Sequence, residues 1–192
     1  MTVTHGFTDV DMTSPTRILT RGLAVFKKHK PRILLDLGCG VGSETPILAA
    51  SLGARIVAVD HDAAALAAAP PNPNVFYVRA DATRLPFGES TIDACYSFGL
   101  LQELGQNGDA PLRLLTSELD RVMEKSGVAI LGTIANFRST SSAYRSLTGA
   151  EVSKVLRGHM VLQELIGLMD IDINGQQTRY WYISATPTKH TK

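Results

Sequence analysis

The 192-residue chain has the length of one typical domain and is too short for two of full size. Its 19 Lys and Arg residues nearly balance its 18 Asp and Glu residues, and the formal net charge of +1 disfavours nonspecific binding to nucleic acid or to an anionic membrane surface. Hydrophobic residues make up 44% of the chain and charged residues 19%, which excludes a disordered composition.

Short apolar β-rich segments alternate with helical patterns along the chain, which is typical of a parallel sheet covered by helices on both faces. A Ser14-Pro15 helix start predicts the first helix, 14–28, within an N-terminal helix or lid at 1–30. The strands that we predict next are 32–37, 55–59, 75–78, 92–98 and 128–134. The helices that we predict among them are 43–52, 63–69 and 109–124, with Ser43 as an N-cap.

The C-terminal part has a different pattern. Residues 136–147 are rich in Ser, Thr and Arg and indicate a loop or cap, and the Thr148–Glu151 spacing predicts a capping box at the start of a helix. Two last strands, 171–173 and 179–185, flank the hairpin signal Asn174-Gly175. We therefore expect a single α/β domain with a Rossmann-like, doubly wound, seven-stranded sheet, mostly parallel with an antiparallel terminal hairpin strand. Its segments are the core 31–134, the cap 135–160 and the C-terminal strands 161–192.

A glycine-rich turn carries the strongest functional signal. It lies in the segment LLDLGCGVG, residues 34–42, where a strand turns sharply into a helix and bare backbone can approach a ligand closely. An acidic residue at the end of the next strand, Asp60, is placed to accept from both hydroxyls of a ribose. Asp81 ends the third strand, so three loops converge on the crevice where open α/β sheets bind ligands.

This set of motifs resembles class I S-adenosylmethionine-dependent methyltransferases, above all those that act on small molecules and quinones. The resemblance covers residues 33–133 and includes the DATRLPF segment, residues 81–87, and the strand 92–98. It implies S-adenosylmethionine as cofactor and S-adenosylhomocysteine as product. It also implies that Asp36 and the backbone of Gly38 and Gly40 meet the methionyl portion, and that Asp60 holds the ribose.

The remaining roles implied by the resemblance concern the adenine and the sulfonium. His61 lies along the adenine, although that position is commonly apolar in the family, Asp81 accepts from the adenine amino group, and the Ala82 backbone contacts a ring nitrogen. Ser97 and Phe98 lie beside the sulfonium and the methyl acceptor. The full predicted cofactor set is Asp36, Gly38, Cys39, Gly40, Gly42, Asp60, His61, Asp81, Ala82, Ser97 and Phe98.

Polar residues outside these motifs are candidates for the acceptor side. Glu103 follows the fourth strand, Tyr144 lies in the cap, and His159 begins the segment that leads back into the sheet. We predict that they position the acceptor or act as a base, and a solvated or hydrogen-bonded surface role is the alternative for each. The cysteines Cys39 and Cys95 form no CxxC or Cys/His cluster, so neither a metal site nor a disulfide framework is expected.

Other nucleotide-binding classes fit the sequence less well. A dinucleotide-binding oxidoreductase has glycine where Ser43 stands, and no GK[ST] follows the glycines as a phosphate-binding loop requires. We therefore predict methyl transfer to a small-molecule acceptor by in-line displacement. The alternatives are a non-catalytic S-adenosylmethionine-binding regulatory protein and an RNA or protein methyltransferase, the latter disfavoured by the charge balance. With neither a signal-peptide core in the first thirty residues nor an apolar segment of roughly 18 residues, we expect a cytoplasmic protein without a membrane span.

Overall fold

The computed structural model describes residues 17–135, 146–171 and 177–188. The strands are β1 (Ile33–Leu37), β2 (Arg55–Asp60), β3 (Val75–Arg79), β4 (Ile92–Phe98), β5 (Met123–Ile134), β6 (Met160–Ile171) and β7 (Gln177–Pro187). The helices are α1 (Arg17–His29), α2 (Thr45–Leu52), α3 (Ala63–Ala68), α4 (Leu100–Gly105), α5 (Asp109–Val122) and α6 (Gly149–Leu156).

All seven strands form one sheet in the order β3-β2-β1-β4-β5-β7-β6. The pairs β1–β2, β1–β4, β2–β3 and β4–β5 are parallel, whereas β7 runs antiparallel to both β5 and β6. This topology confirms the predicted α/β class and its antiparallel end strand. The parallel strands end together at one side of the sheet, which we call the carboxyl edge, and Leu37, Asp60 and Phe98 lie there.

Two hydrophobic clusters cover the two faces of the sheet. On one face α1 and α2 contribute buried residues such as Phe26 and Leu48, and on the other face α5 and α6 contribute Leu115 and Val152. The helices α1, α5 and α6 each place an apolar stripe on the sheet and leave their polar side in solvent, as amphipathic helices of doubly wound folds do. None of the helices in the described part of the chain is long and apolar enough to cross a membrane.

The first helix packs as a layer on one face of the sheet. Ile18, Leu19 and Phe26 in α1 are fully buried, and a Cβ atom on Gly22 would lie 3.2 Å from Ile130 of β5. The predicted helix is confirmed for residues 17–29, and the apolar stripe of α1 packs on the sheet. The lid role stays a prediction. The predicted helix start at Ser14 lies outside the described residues.

Several boundaries differ from the prediction. The N-cap of α2 is Glu44 in place of Ser43, and it makes no side-chain cap bond. Helix α5 ends at Val122, and β5 begins at once with Met123, which pairs with Ile92 ahead of a register shift in the ladder. The capping box of α6, between Thr148 and Glu151, is confirmed.

The C-terminal strands are longer than the sequence pattern indicates. β6 spans Met160–Ile171, whereas the prediction placed a strand only at 171–173, and β7 extends the predicted strand at both ends. β6 lies at the edge of the sheet, so polar residues such as Gln163 and Glu164 interrupt its apolar pattern without being buried between two strands. Asn174-Gly175 lies outside the described residues.

Candidate cofactor site at the carboxyl edge

The loop that follows β1 is held against β2 by its backbone. Gly38 N and Cys39 N both donate to Val59 O, at 2.8 and 3.0 Å, and Gly42 N donates to Cys39 O at 2.9 Å. The φ angles of Gly38, Gly40 and Gly42 are 75°, 55° and 72°, a left-handed conformation that favours glycine. The loop is therefore a fixed surface of bare backbone.

Only one of these three glycines leaves open space beside it. A Cβ atom on Gly38 would lie 3.1 Å from Leu100 Cβ of α4, and one on Gly42 would lie 3.0 Å from the Tyr77 hydroxyl oxygen. A Cβ atom on Gly40 would have no atom within 4 Å. The side of Gly38 and of Gly42 where a Cβ would stand is thus filled by neighbouring side chains, whereas Gly40 leaves open space through which a ligand can approach the backbone.

We expect a Gly40→Ala variant to bind S-adenosylhomocysteine about fivefold more weakly, which corresponds to roughly 1 kcal/mol. The matched control is Gly53→Ala at the C-cap of α2, because Gly53 also has a left-handed φ, 63°, and a Cβ atom there would likewise have no atom within 4 Å. Both variants strain the backbone to a similar degree, as thermal unfolding will report. Isothermal titration then measures the affinity of each variant for S-adenosylhomocysteine, and only Gly40→Ala should bind more weakly. Equal affinities for the two variants would contradict the assignment of Gly40 to the site.

Asp60 joins the glycine loop to the turn after β2. Its Oδ2 accepts from Gly40 N at 2.8 Å, its Oδ1 accepts from Asp62 N at 2.9 Å, and His61 Nδ1 lies 3.3 Å from Oδ1. The side chain of His61 is 79% exposed, so its ring is open to a ligand. The Asp60 carboxylate therefore both shapes the loop and faces the crevice.

Asp36 lies beneath the loop in a cluster of acidic groups. It is 4% exposed, and its Oδ2 accepts from Thr45 Oγ1 at 2.6 Å. Burial, together with the nearby charges of Glu44 and Asp60, raises the pKa of Asp36 to about 7. Glu44 Oε2 in turn accepts from the Tyr96 hydroxyl at 2.7 Å. The carboxyl groups of Asp36, Glu44 and Asp60 thus lie close enough to influence one another beneath the loop.

The third predicted element lies next to the second. Ala80 N donates to Asp60 O at 3.0 Å, which brings the segment after β3 against the end of β2. Asp81 Oδ1 accepts from Thr83 N at 2.8 Å and from Thr83 Oγ1 at 2.7 Å, and these bonds lower the pKa of Asp81. Ala82 follows, partly buried. Asp81 is thus held as a carboxylate beside Asp60.

Ser97 and Phe98 end β4 and point to opposite faces of the sheet, since side chains alternate along a strand. Ser97 is buried, and the Phe98 ring packs on Tyr180 of β7 with a centroid distance of 5.3 Å. A Cβ atom on Gly132 would lie 2.6 Å from Phe98 Cδ2, so the ring occupies space that only glycine leaves.

Glu103 lies in α4, the helix whose first residue, Leu100, packs against Gly38 of the glycine loop. Burial and the charge of Asp60 raise the pKa of its carboxyl, and the neighbouring His61 lowers it. The α4 helix itself was not predicted, because six residues are too few to show a helical period. Glu103 therefore shares the electrostatic environment of the predicted cofactor residues.

The other two acceptor-side candidates have different outcomes. Tyr144 lies outside the described residues. His159 lies at the opposite edge of the sheet, because it precedes Met160, which pairs with Pro187 at the end of β7. The carboxyl edge is reached at Tyr180, about 25 Å away at the usual rise of a strand. His159 is therefore not part of this site; its carbonyl oxygen accepts from Thr188 N at 3.0 Å.

The structure adds two polar residues that the sequence analysis did not select. Gln102 in α4 is buried, and its Oε1 accepts from Ile134 N at 2.9 Å at the end of β5. Thr133, the preceding residue of β5, is 0% exposed. Gln102 interrupts the apolar run from Leu100 to Leu104, and that interruption is the signal by which it could have been found.

The two cysteines are packing residues in this structure. Cys39 is half-buried in the glycine loop, and Cys95 is fully buried in β4. Burial raises the pKa of both thiols, so both are held protonated.

Comparison with known proteins agrees with this geometry. Residues 35–131, half of the chain, match a family described as a methyltransferase domain. An uncharacterised methyltransferase of Synechocystis is 37% identical over 99 residues, 51% of this chain and 45% of that protein. The malonyl-[acyl-carrier protein] O-methyltransferase of Pectobacterium atrosepticum is 29% identical over 159 residues, 81% of this chain and 59% of that protein.

A similar solved structure is the geranyl diphosphate C-methyltransferase of Streptomyces coelicolor, in complex with Mg²⁺, geranyl diphosphate and S-adenosylhomocysteine. Its TM-score is 0.65 at 15% identity, with 88% of this chain and 77% of that chain covered. This likeness is one of fold. The chain spans about half the length of the curated relatives that it matches.

The glycine loop, Asp60 and Asp81 meet at the carboxyl edge within the region of the family match, and S-adenosylmethionine is the cofactor of that family. The chain belongs to the class I S-adenosylmethionine-dependent methyltransferases.

Proposed function

We propose that this chain transfers a methyl group from S-adenosylmethionine to a small-molecule acceptor that carries an oxygen atom able to accept hydrogen bonds. S-adenosylmethionine supplies an activated methyl group on a positively charged sulfur. The residues of the site fit it, because Gly40 leaves backbone open to a ligand and Asp36 and Asp60 contribute negative charge beside that opening.

Each part of the cofactor has a candidate partner. The backbone at Gly38 and Gly40, with Asp36 beneath it, would hold the methionyl portion. Asp60 would accept from the ribose hydroxyls. His61 would lie along the adenine, and Asp81 and Ala82 would bind its edge. Cys39 and Gly42 would shape the loop without contacting the cofactor. Cys39 N donates to Val59 O, and Gly42 packs on Tyr77.

A group of unpaired polar atoms is the observation that supports the acceptor. Ser97 Oγ, Gln102 Nε2 and Thr133 Oγ1 are buried and have no hydrogen-bond partner in the part of the chain that the structure describes. All three residues lie at the carboxyl ends of β4 and β5 or in the helix between them. Buried polar groups without partners are rare, and a bound ligand is one of the ordinary reasons for them.

The chemistry of these groups indicates what they bind. The amide of Gln102 has a defined orientation because its Oε1 already accepts from Ile134 N, so its Nε2 can only donate. The hydroxyls of Ser97 and Thr133 can donate as well. Three donors favour an acceptor with a carboxylate, carbonyl or hydroxyl oxygen. Two of the similar proteins reported above are named for malonyl-[acyl-carrier protein] and for geranyl diphosphate, both of which carry such oxygens.

These residues would act by holding the acceptor in line with the methyl carbon. Orientation and proximity alone supply about 7–11 kcal/mol in well-aligned reactions, so the site needs a base only for an acceptor that must lose a proton. Among the described residues, Glu103 is our candidate for that role, since the pKa of its carboxyl is raised by partial desolvation and by the charge of Asp60.

The experiment that tests this function measures release of S-adenosylhomocysteine with a panel of small carboxylic acids, phenols, quinones and amines. We expect turnover with an oxygen-bearing member of the panel. Tight cofactor binding with no turnover on any of them would favour a non-catalytic binding protein. Turnover on RNA or on a protein alone would place the chain with the macromolecular methyltransferases.

A Thr133→Val variant is expected to raise the KM for the acceptor about tenfold, which corresponds to roughly 1.4 kcal/mol, and to leave the Kd for S-adenosylhomocysteine unchanged. The matched control is Thr116→Val in α5. Thr116 is equally buried, but its Oγ1 donates to Val155 O at 3.2 Å and to Arg113 O at 3.0 Å. The control should lose stability by about 1 kcal/mol with an unchanged KM. A Thr133→Val variant with unchanged KM would remove Thr133 from the acceptor site.

A further inference from the structure

The segment that carries Asp81 is tied to α5 by one pair of side chains. Leu85 N donates to Glu118 Oε2 at 2.7 Å, Arg121 Nη1 donates to Phe87 O at 2.7 Å, and Arg121 Nη2 donates to Leu85 O at 3.0 Å. The two side chains also bind each other, with Arg121 Nε to Glu118 Oε1 at 2.8 Å and Arg121 Nη2 to Glu118 Oε2 at 2.7 Å. The Glu118–Arg121 pair thus contacts three backbone groups of this segment.

The pair holds a segment that has little regular structure of its own. Between β3 and β4, Asp81 and Arg84 form one isolated bridge, closed by a bond from Arg84 N to Asp81 O at 2.9 Å. Leu85 follows this turn directly, and both its N–H and its carbonyl bind the Glu118–Arg121 pair. A rigid turn attached to a fixed residue has a fixed position, so Asp81 is placed through Leu85.

The end of α5, which carries the Glu118–Arg121 pair, is hydrogen-bonded to the start of β4. Thr91 N donates to Val122 O at 2.8 Å and Ser90 N donates to Arg121 O at 3.0 Å, which joins the end of α5 to the start of β4. The hydrogen bonds and charge of Arg121, together with the bond from Leu85 N, hold the pKa of Glu118 below its usual range. The pair is therefore ionised at neutral pH, and its bonds to the backbone are charge-assisted.

We infer that Glu118 and Arg121 are positioning residues for adenine recognition, and that they act through the turn that carries Asp81 and Ala82. This inference rests on the proposed function, because it takes Asp81 as the group that accepts from the adenine amino group. Hydrogen bonds weaken steeply with distance and angle, so a displacement of about 1 Å in the turn is enough to lose that contact. The ribose contact at Asp60 depends on the glycine loop and not on this pair.

The test compares two ligands that differ only at the adenine edge. S-adenosylhomocysteine carries the amino group, and S-inosylhomocysteine carries a carbonyl oxygen in its place, which the Asp81 carboxylate repels. We expect the unmodified chain to bind S-adenosylhomocysteine, the adenosine form, at least about tenfold more tightly than S-inosylhomocysteine in isothermal titration. An Arg121→Gln variant should reduce this preference to about twofold, mainly because it binds S-adenosylhomocysteine more weakly.

Arg113→Gln is the matched control on the same helix. Arg113 pairs with Asp109 at 4.0 Å across one turn of α5 and has no bond to the segment before β4 among the described contacts. This variant should keep the full preference. Glu118→Gln is a second variant in case Arg121→Gln fails to fold, because its amide oxygen still accepts from Leu85 N. It should lose part of the preference.

The outcomes separate the inference from the proposed function. If a folded Arg121→Gln or Glu118→Gln variant keeps the full preference for the adenosine form, the positioning role is wrong although the cofactor assignment stands. If an Arg121→Gln variant binds both ligands more weakly by the same factor, the Glu118–Arg121 pair stabilises the domain without serving adenine recognition. If the unmodified chain binds neither ligand, the proposed function fails first.

Discussion

An Asp60→Ala variant is expected to bind S-adenosylhomocysteine at least about a hundredfold more weakly than the unmodified chain, as measured by isothermal titration. Two charge-assisted bonds from ribose hydroxyls would be lost, at about 1.5–3 kcal/mol each. The structure adds a second cause, because Asp60 also accepts from Gly40 N and Asp62 N. Without the carboxylate the glycine loop loses a tie to the turn after β2, so loop and ribose contacts fail together.

Asp62→Ala is the control for this prediction. Asp62 is the N-cap of α3 and accepts from Ala64 N at 2.8 Å, so its loss should lower stability by about 1 kcal/mol. It lies two positions from Asp60 and is exposed, yet it makes no bond to the glycine loop in the described structure. The control should therefore keep its affinity for the ligand. Equal losses in both variants would indicate general damage to the turn and not a ribose contact.

The parallel core could be predicted from the sequence because its strands are buried on both faces. Such strands read as short apolar segments between turn residues, and β4 matches its predicted bounds at both ends. β6 does not follow this rule, since an edge strand has one neighbour and tolerates polar residues. The beginning of β5 was missed for a related reason: Glu124, Lys125 and Ser126 do not look like a strand, and they lie in the register shift between the pairs Ile92–Met123 and Ala94–Val128.

The cofactor side of the site was predictable because it is built from backbone and from residues at strand ends. Asp60 is the last residue of β2 and pairs with Arg79, and Asp81 lies two residues after Arg79, so the sheet brings the two segments together. Contacts made by side chains from distant elements could not be predicted. The bond from Ile134 N to Gln102 Oε1 joins residues 32 positions apart, and the position of His159 depends on the antiparallel pairing of β6 with β7.

An Asp36→Asn variant is expected to be more stable than the unmodified chain at pH 8, by about 2 kcal/mol in the free energy of unfolding. The pKa of Asp36 is raised from 3.8 to about 7, mainly by burial and further by the charges of Glu44 and Asp60. Such a displacement corresponds to a free energy on the order of 4 kcal/mol, and the unpaired amide N–H₂ of asparagine offsets part of it.

The stabilising effect of Asp36→Asn depends on pH. Between about pH 4 and pH 7 the folded chain holds a proton on Asp36 that the unfolded chain has lost. The contribution of Asp36 to stability therefore falls as the pH rises through this range, and it is constant above pH 7. The stabilising effect of Asp36→Asn should accordingly be small at pH 5 and largest at pH 8, as chemical denaturation at both pH values will report.

Asp93→Asn is the control of opposite sign. Burial raises the pKa of Asp93, but bonds from Ile33 N at 2.8 Å and from Arg32 N at 2.9 Å outweigh it and leave that pKa lowered. Asp93 therefore stabilises the fold as a carboxylate, and its replacement should cost about 2 kcal/mol at pH 8. A destabilised Asp36→Asn variant at pH 8 would show that the Asp36 carboxylate is supported by the fold.

The Asp36→Asn substitution should raise stability and lower the affinity for S-adenosylmethionine. A positively charged ligand group near the loop favours the carboxylate over the protonated form, so binding at pH 7 should release a fraction of a proton. The affinity of the unmodified chain for S-adenosylmethionine should then rise as the pH passes through about 7. In Asp36→Asn this rise should vanish and the affinity at pH 8 should be about tenfold lower, because asparagine cannot supply the charge. Titration in two buffers with different heats of ionisation measures the released proton, and an unchanged release in the variant would assign it to another group.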